Sequence, residues 1–125
     1  MRYRTPGNTG LKVSVVGFGG IPTQRAPAAE AGVIVNKALD LGINFFDTAR
    51  GYTDSEEKLG AVLKLRREEA VVATKSMART KEGMAADIRK SLDTMGLEYI
   101  DLYQLHNVKS RVELDTFLDP GGALV

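Results

Sequence analysis

Two rhythms of apolar and polar positions alternate along the chain. Short, nearly continuous apolar runs stand at Val13–Phe18, Ile43–Phe46, Ala70–Thr74 and Tyr99–Leu105. Runs of that length, bounded by turn residues, predict buried strands. Between them the apolar spacing switches to three and four. Ala31, Val35, Ala38 and Leu41 share one helical face, and Gly42 follows at the expected C-terminal cap. Leu59, Val62 and Leu63 predict a second helix, with Asp54 and Glu57 spaced as a capping box. Met84, Ile88, Leu92 and Met95 form a third stripe, with Thr80 placed to cap it and Gly96 to end it. A fourth helix is predicted over Ser110–Leu118, cut off by Asp119-Pro120-Gly121-Gly122. Ahead of the first run, residues 2–5 and 11–14 suit a short hairpin around the turn-rich Gly7-Asn8-Thr9-Gly10. Ile21–Pro27, with two prolines, reads as a loop.

Strands alternating with helices imply a parallel sheet. An open doubly wound sheet and part of a (β/α)8 barrel both fit this order, and the pattern alone does not choose between them.

Composition narrows the chemistry. The chain has 125 residues, with Lys+Arg 17 against Asp+Glu 16 and a net charge of +1. That balance argues against an electrostatic nucleic-acid binder. No run of roughly 18 apolar residues is present, which argues against a membrane span. Met1-Arg2-Tyr3-Arg4 leads into polar residues, so no signal peptide is expected and a cytoplasmic location is. With no cysteine and one histidine, thiolate chemistry and multi-histidine metal sites are excluded, and no metal site is expected.

What remains gathers at strand ends. Asp47 ends the second run, Lys75 the third and His106 the fourth, while Tyr52 sits in the loop after the second. The carboxyl ends of parallel strands form the rim where α/β proteins do chemistry. Side chains alternate along a strand, so Phe45 with Asp47, Ala73 with Lys75, and Leu102 with Gln104 and His106 can share one face. Taken singly, each has a plainer explanation. The aspartate can cap a turn, the lysine can be solvated, the histidine can be a satisfied core residue and the tyrosine can cover a loop. Four at successive rims point to a site. Tyrosine, with an ordinary pKa near ~10, is a poor acid at neutral pH, and a nearby ammonium favours its phenolate. A carboxylate can hold the lysine, and a histidine can orient a substrate oxygen. Such a set suits protonation of a carbonyl oxygen. Reduction of that carbonyl also needs hydride from a nicotinamide or flavin.

Gly17-Phe18-Gly19-Gly20 is not a dinucleotide fingerprint, because Pro22 and a loop follow instead of a helix. Backbone freedom at a strand end and close approach to a ligand explain it equally well. The methionine stripe reads as core, and the charged runs Lys64–Glu69 and Lys109–Glu113 read as solvated.

Several stretches together resemble the aldo-keto reductases. They are Leu11–Gly19, Ala38–Ala49 with Tyr52 following, Ser55-Glu56-Glu57-Lys58-Leu59-Gly60, Ala73-Thr74-Lys75 and Asp101–His106. The resemblance implies a (β/α)8 TIM barrel and reduction of aldehydes or ketones with NADPH or NADH. It casts Tyr52 as proton donor, Lys75 as the group that lowers the pKa of Tyr52, Asp47 as support for Lys75, and His106 as the group orienting the carbonyl. It sets Gly19, Gly20, Ile21 and Asp47 beside the nicotinamide. His106-Asn107-Val108 and Gly121-Gly122 resemble a bacterial branch, some of whose members carry a C-terminal iron–sulfur segment.

A complete barrel of this kind takes ~250 residues. The expectation for residues 1–125 is therefore an N-terminal half-barrel of about four β/α units with a short hairpin, inactive alone and lacking the half that grips the cofactor. A small carbonyl compound is the expected partner, and open strand edges invite self-association. The alternative is a non-catalytic half-barrel that pairs with another chain. The short Thr53–Ser55 loop leaves substrate preference open.

Overall fold

Alternation along the strands decides which face is covered. Phe46, Val72, Thr74 and Ser76 are fully buried on one side, while Asp47, Lys75 and Gln104 are half-buried on the other. The computed structural model describes residues 1–125. Its strands are β1 (Tyr3–Arg4), β2 (Val13–Ser14), β3 (Phe18–Gly19), β4 (Phe45–Asp47), β5 (Val71–Ser76) and β6 (Leu102–Leu105). Its helices are α1 (Ala28–Asp40), α2 (Ser55–Leu63), α3 (Lys81–Met95) and α4 (Arg111–Leu118).

β1 and β2 form the antiparallel hairpin that the turn residues predict, with Tyr3 opposite Ser14. The other four strands make a parallel sheet in chain order, β3-β4-β5-β6. Val35, Ala38 and Leu39 from α1, Leu59, Val62 and Leu63 from α2, and Met95 from α3 close over Phe46 and Val72 to form the core. Full burial of one such side chain stabilises by roughly 1.5–3 kcal/mol. α2 meets α3 at Gly60, where an added Cβ would lie 2.5 Å from the Met95 Cα. Gly42 and Gly96 end α1 and α3 with φ of +83° and +65°, the left-handed conformation that glycine takes at no steric cost. Thr80 caps α3 by accepting from the Gly83 amide, and Ser110 caps α4 by accepting from Glu113.

Four sequence expectations need correction. Val13–Phe18 is two short strands rather than one. Ser14 accepts from the Asn44 amide and donates to the Val16 carbonyl, which turns the chain out of line and exposes Val15 and Val16. Ile21–Arg25 is a 3-10 turn, not an irregular loop, with Pro22 in its first positions. Leu41 lies beyond the end of α1 and is exposed, and Leu39 takes the core position. Asp54 precedes α2 without capping it, because its carboxylate pairs with Lys58 at 2.7 Å, which lowers its pKa.

The charged run Lys64–Glu69 is exposed as expected at Lys64, Leu65, Glu68 and Glu69, while its two arginines are half-buried. Arg66 bridges Asp40 and Glu69, and Arg67 stacks 3.8 Å over the Tyr99 ring while pairing with Asp101. Arg67 thereby holds the segment leading into β6, whose ladder begins only at Leu102. No helix is long and apolar enough to cross a membrane.

Candidate active site

Strand register brings the strand-end residues together. Gly19 lies opposite Asp47, Asp47 opposite Ala73, and Lys75 opposite Gln104. Lys75 is thus two residues beyond the partner of Asp47 and on the same face. Its Nζ reaches back to Asp47 Oδ1 at 2.5 Å and to the Thr48 carbonyl at 2.8 Å. Gln104 Nε2 donates to the other Asp47 oxygen at 3.1 Å. The Asp47 carboxylate therefore joins three neighbouring strands.

Tyr52 stands on the loop between β4 and α2, where its amide donates to the Ala49 carbonyl and its carbonyl accepts from Ser55. Lys75 Nζ is 5.0 Å from the centroid of its ring. The next residue, Thr53, has φ of +40°, a costly conformation for a β-branched side chain. His106 lies just past β6 and extends the ladder, its amide donating to the Ser76 carbonyl at 2.9 Å. Its ring meets that of Tyr52 edge-on, with centroids 5.6 Å apart and planes at 89°. Burial, with the Lys75 and Arg79 charges, pushes the His106 pKa below its ordinary value, against the opposing pull of Asp47. His106 Nδ1 is buried without a hydrogen-bond partner. Asp47, Tyr52, Lys75 and His106 thus converge on one end of the open sheet. The main surface concavities lie elsewhere.

The glycines at the end of β3 divide by role. Neither Gly19 nor Gly20 has a positive φ, so backbone freedom explains neither. A Cβ on Gly20 would lie 2.6 Å from Ser55 Oγ and 3.0 Å from Thr48 Oγ1. Gly20 is therefore small because it packs against α2. At Gly19 a Cβ would meet nothing within 4 Å, and Ile21 beyond it is exposed.

Two participants were not singled out by sequence. Gln104 shares the parity of His106, the one signal that marks it. Glu56 carries no mark in the sequence beyond its place in Ser55–Gly60, yet it is 2% exposed.

A model of the aldo/keto reductase family matches residues 15–119. The L-galactose dehydrogenase of Arabidopsis thaliana is 43% identical over 87% of this chain and 39% of its own length. The L-glyceraldehyde 3-phosphate reductase of Escherichia coli is 28% identical over 92% of this chain and 39% of its own. The chain therefore spans about two fifths of the length of these curated relatives. The holo form of an aldo-keto reductase from Bacillus halodurans superposes with a TM-score of 0.82 and 31% identity, over 94% of this chain and 45% of that one. The parallel sheet and its helices are thus a portion of the aldo-keto reductase TIM barrel. By sequence and by fold, the chain belongs to the aldo/keto reductase family.

Proposed function

We propose that residues 1–125 are the N-terminal half of a barrel that reduces aldehydes or ketones to alcohols with NADPH or NADH, and that they supply its proton-delivery side. The observation that carries this reading is the position of Lys75, clamped to Asp47 at 2.5 Å and 5.0 Å from the Tyr52 ring. Tyr52 donates its hydroxyl proton to the carbonyl oxygen as negative charge develops there. The Lys75 ammonium stabilises the phenolate left behind, and Asp47 keeps that ammonium in place. His106, held neutral by burial and by nearby cations, donates a hydrogen bond to the same oxygen and orients it.

The residues fit a nicotinamide at the end of β3. Gly19 presents backbone with open space above it, Ile21 offers an exposed apolar side chain, and Asp47 is partly accessible beside them. Gly19, Ile21 and Asp47 would hold the ring, with Gly20 fixing their backbone against α2. When bound, a reduced nicotinamide supplies the hydride that no side chain can give.

A second reading, a non-catalytic half-barrel that pairs with another chain, is favoured by one feature: β3 and β6 each leave an edge unpaired in the sheet. NADPH-dependent reduction of an aromatic aldehyde by a complete barrel that contains residues 1–125, compared with its Tyr52→Phe variant, separates the two. Turnover abolished by that substitution supports the reductase, and absence of turnover from the complete barrel supports the module.

A further inference from the structure

Behind the sheet, on the side away from the candidate site, lies the one buried carboxylate of the protein. Glu56 is 2% exposed. A buried charge is costly unless it is both paired and hydrogen-bonded. Glu56 is both. Oε2 pairs with the Arg50 guanidinium, and Oε1 accepts from Thr74 Oγ1 and from Ser91 Oγ, each at 2.8 Å. Ser91 Oγ in turn lies 3.2 Å from the Tyr103 hydroxyl.

Three of these groups, Thr74, Tyr103 and Arg50, stand beside residues of the site. Thr74 precedes Lys75, and Tyr103 precedes Gln104. Because side chains alternate, bonding Thr74 and Tyr103 behind the sheet fixes the strands whose next residues face the front. Arg50 stands two positions before Tyr52. Its amide donates to the Lys75 carbonyl at 3.0 Å, and its side chain is held by Glu56. The loop carrying Tyr52 is thus gripped at its backbone by β5 and at its side chain by α2.

A buried ion pair is a weak device for stability, since well-packed apolar residues often do as well or better. What it adds is direction. The geometry points to Glu56 as a positioning residue that, through Arg50, sets the Tyr52 ring against His106 and Lys75. This rests on the reading of Tyr52 as proton donor, but the test reads position instead of turnover.

His106 is the sole histidine, so its ring-proton NMR lines are assigned by their loss in His106→Asn. The Tyr52 ring shifts those lines, and Tyr52→Leu supplies the reference without it. Glu56→Gln keeps size and polarity but removes the charge that holds Arg50. Both Glu56→Gln and Arg50→Met are expected to move the His106 lines most of the way to their Tyr52→Leu position. Lines left in place in folded variants, with only the melting temperature lowered, overturn the inference. If Glu56→Gln does not fold, Arg50→Met decides, because that side chain is 19% exposed and lies at the loop end of the pair. Lines that Tyr52→Leu itself does not move overturn the contact and the inference with it. If the lines move as expected but Tyr52→Phe retains full activity, positioning stands and the proton-donor reading falls.

Discussion

Lys75 and Asp47 meet across two parallel strands, Nζ to Oδ1 at 2.5 Å, although 28 residues separate them along the chain. The register makes this contact possible: Asp47 sits opposite Ala73, so a lysine two residues further on leans back over the carboxylate. The lysine side chain is only 14% exposed and its ammonium also binds the Thr48 carbonyl, which leaves its remaining face toward Tyr52. In a complete barrel that contains residues 1–125, Lys75→Met is therefore expected to lower kcat by about 10²–10⁴-fold, the range typical of assisted proton transfer. Asp47→Asn should cost less, because Thr48 still holds the amine. Steady-state kinetics on both variants checks this order, and an equal or larger loss in Asp47→Asn contradicts it.

Tyr52 makes no side-chain hydrogen bond within the protein, and its ring is placed by Lys75 and His106, so removing its hydroxyl breaks no internal hydrogen bond. In the complete barrel, Tyr52→Phe should keep the circular dichroism spectrum and melting temperature unchanged while kcat falls by about 10²–10⁴-fold. Full kcat in a folded Tyr52→Phe would sink the proton-donor assignment.

His106 ties stability to pH. Its folded pKa lies below its ordinary value of 6.5, so the unfolded chain binds the proton first as pH falls. The contribution is fully present above about 6.5 and is lost as pH drops through the lower, folded value. Urea midpoints for the wild type should decline over that window. Those of His106→Gln should decline less steeply, and parallel declines in the two proteins would show that His106 is not the group responsible.

Gly60 sets the spacing of α2 and α3. The Met95 backbone occupies the place of its missing side chain, and backbone cannot swing aside as a flexible chain end can. Gly60→Ala is expected to destabilise by about 1–3 kcal/mol through overpacking, despite the better helix propensity of alanine. Chemical denaturation measures this directly, and a variant as stable as the wild type would show that the helices separate at little cost.

The two unpaired strand edges bear on behaviour in solution. Residues 1–125 produced alone are expected to self-associate and to bind NADPH weakly or not at all. Light scattering and titration calorimetry test the two halves of this statement. A stable monomer contradicts the first, and micromolar NADPH affinity the second.

Sequence pattern located the helices well because helix signals are local. Thr80 and Gly96 sit where capping rules put them. Parity placed Asp47, Lys75 and His106 on one face, since alternation needs no knowledge of neighbouring strands. What escaped depended on partners distant in sequence. The expected strand breaks after Ser14, which Asn44 bonds from 30 residues away. Glu56 is buried because Thr74 and Ser91 meet it from 18 and 35 residues away. A glutamate beside another glutamate at a helix start carries no local mark of such partners. Gly20 is likewise explained by Ser55 and Thr48, on other parts of the chain.

The order of strands in the sheet has a consequence for how the site comes into being. β4, β5 and β6 each pair with the strand just before them in the chain. During synthesis, then, every new strand finds its template already made, and loops of modest length keep the entropy of closure small. Asp47 is in place when Lys75 emerges, and both are in place when Gln104 and His106 arrive. The four residues are added one rim at a time, so assembly of the site follows the direction of translation.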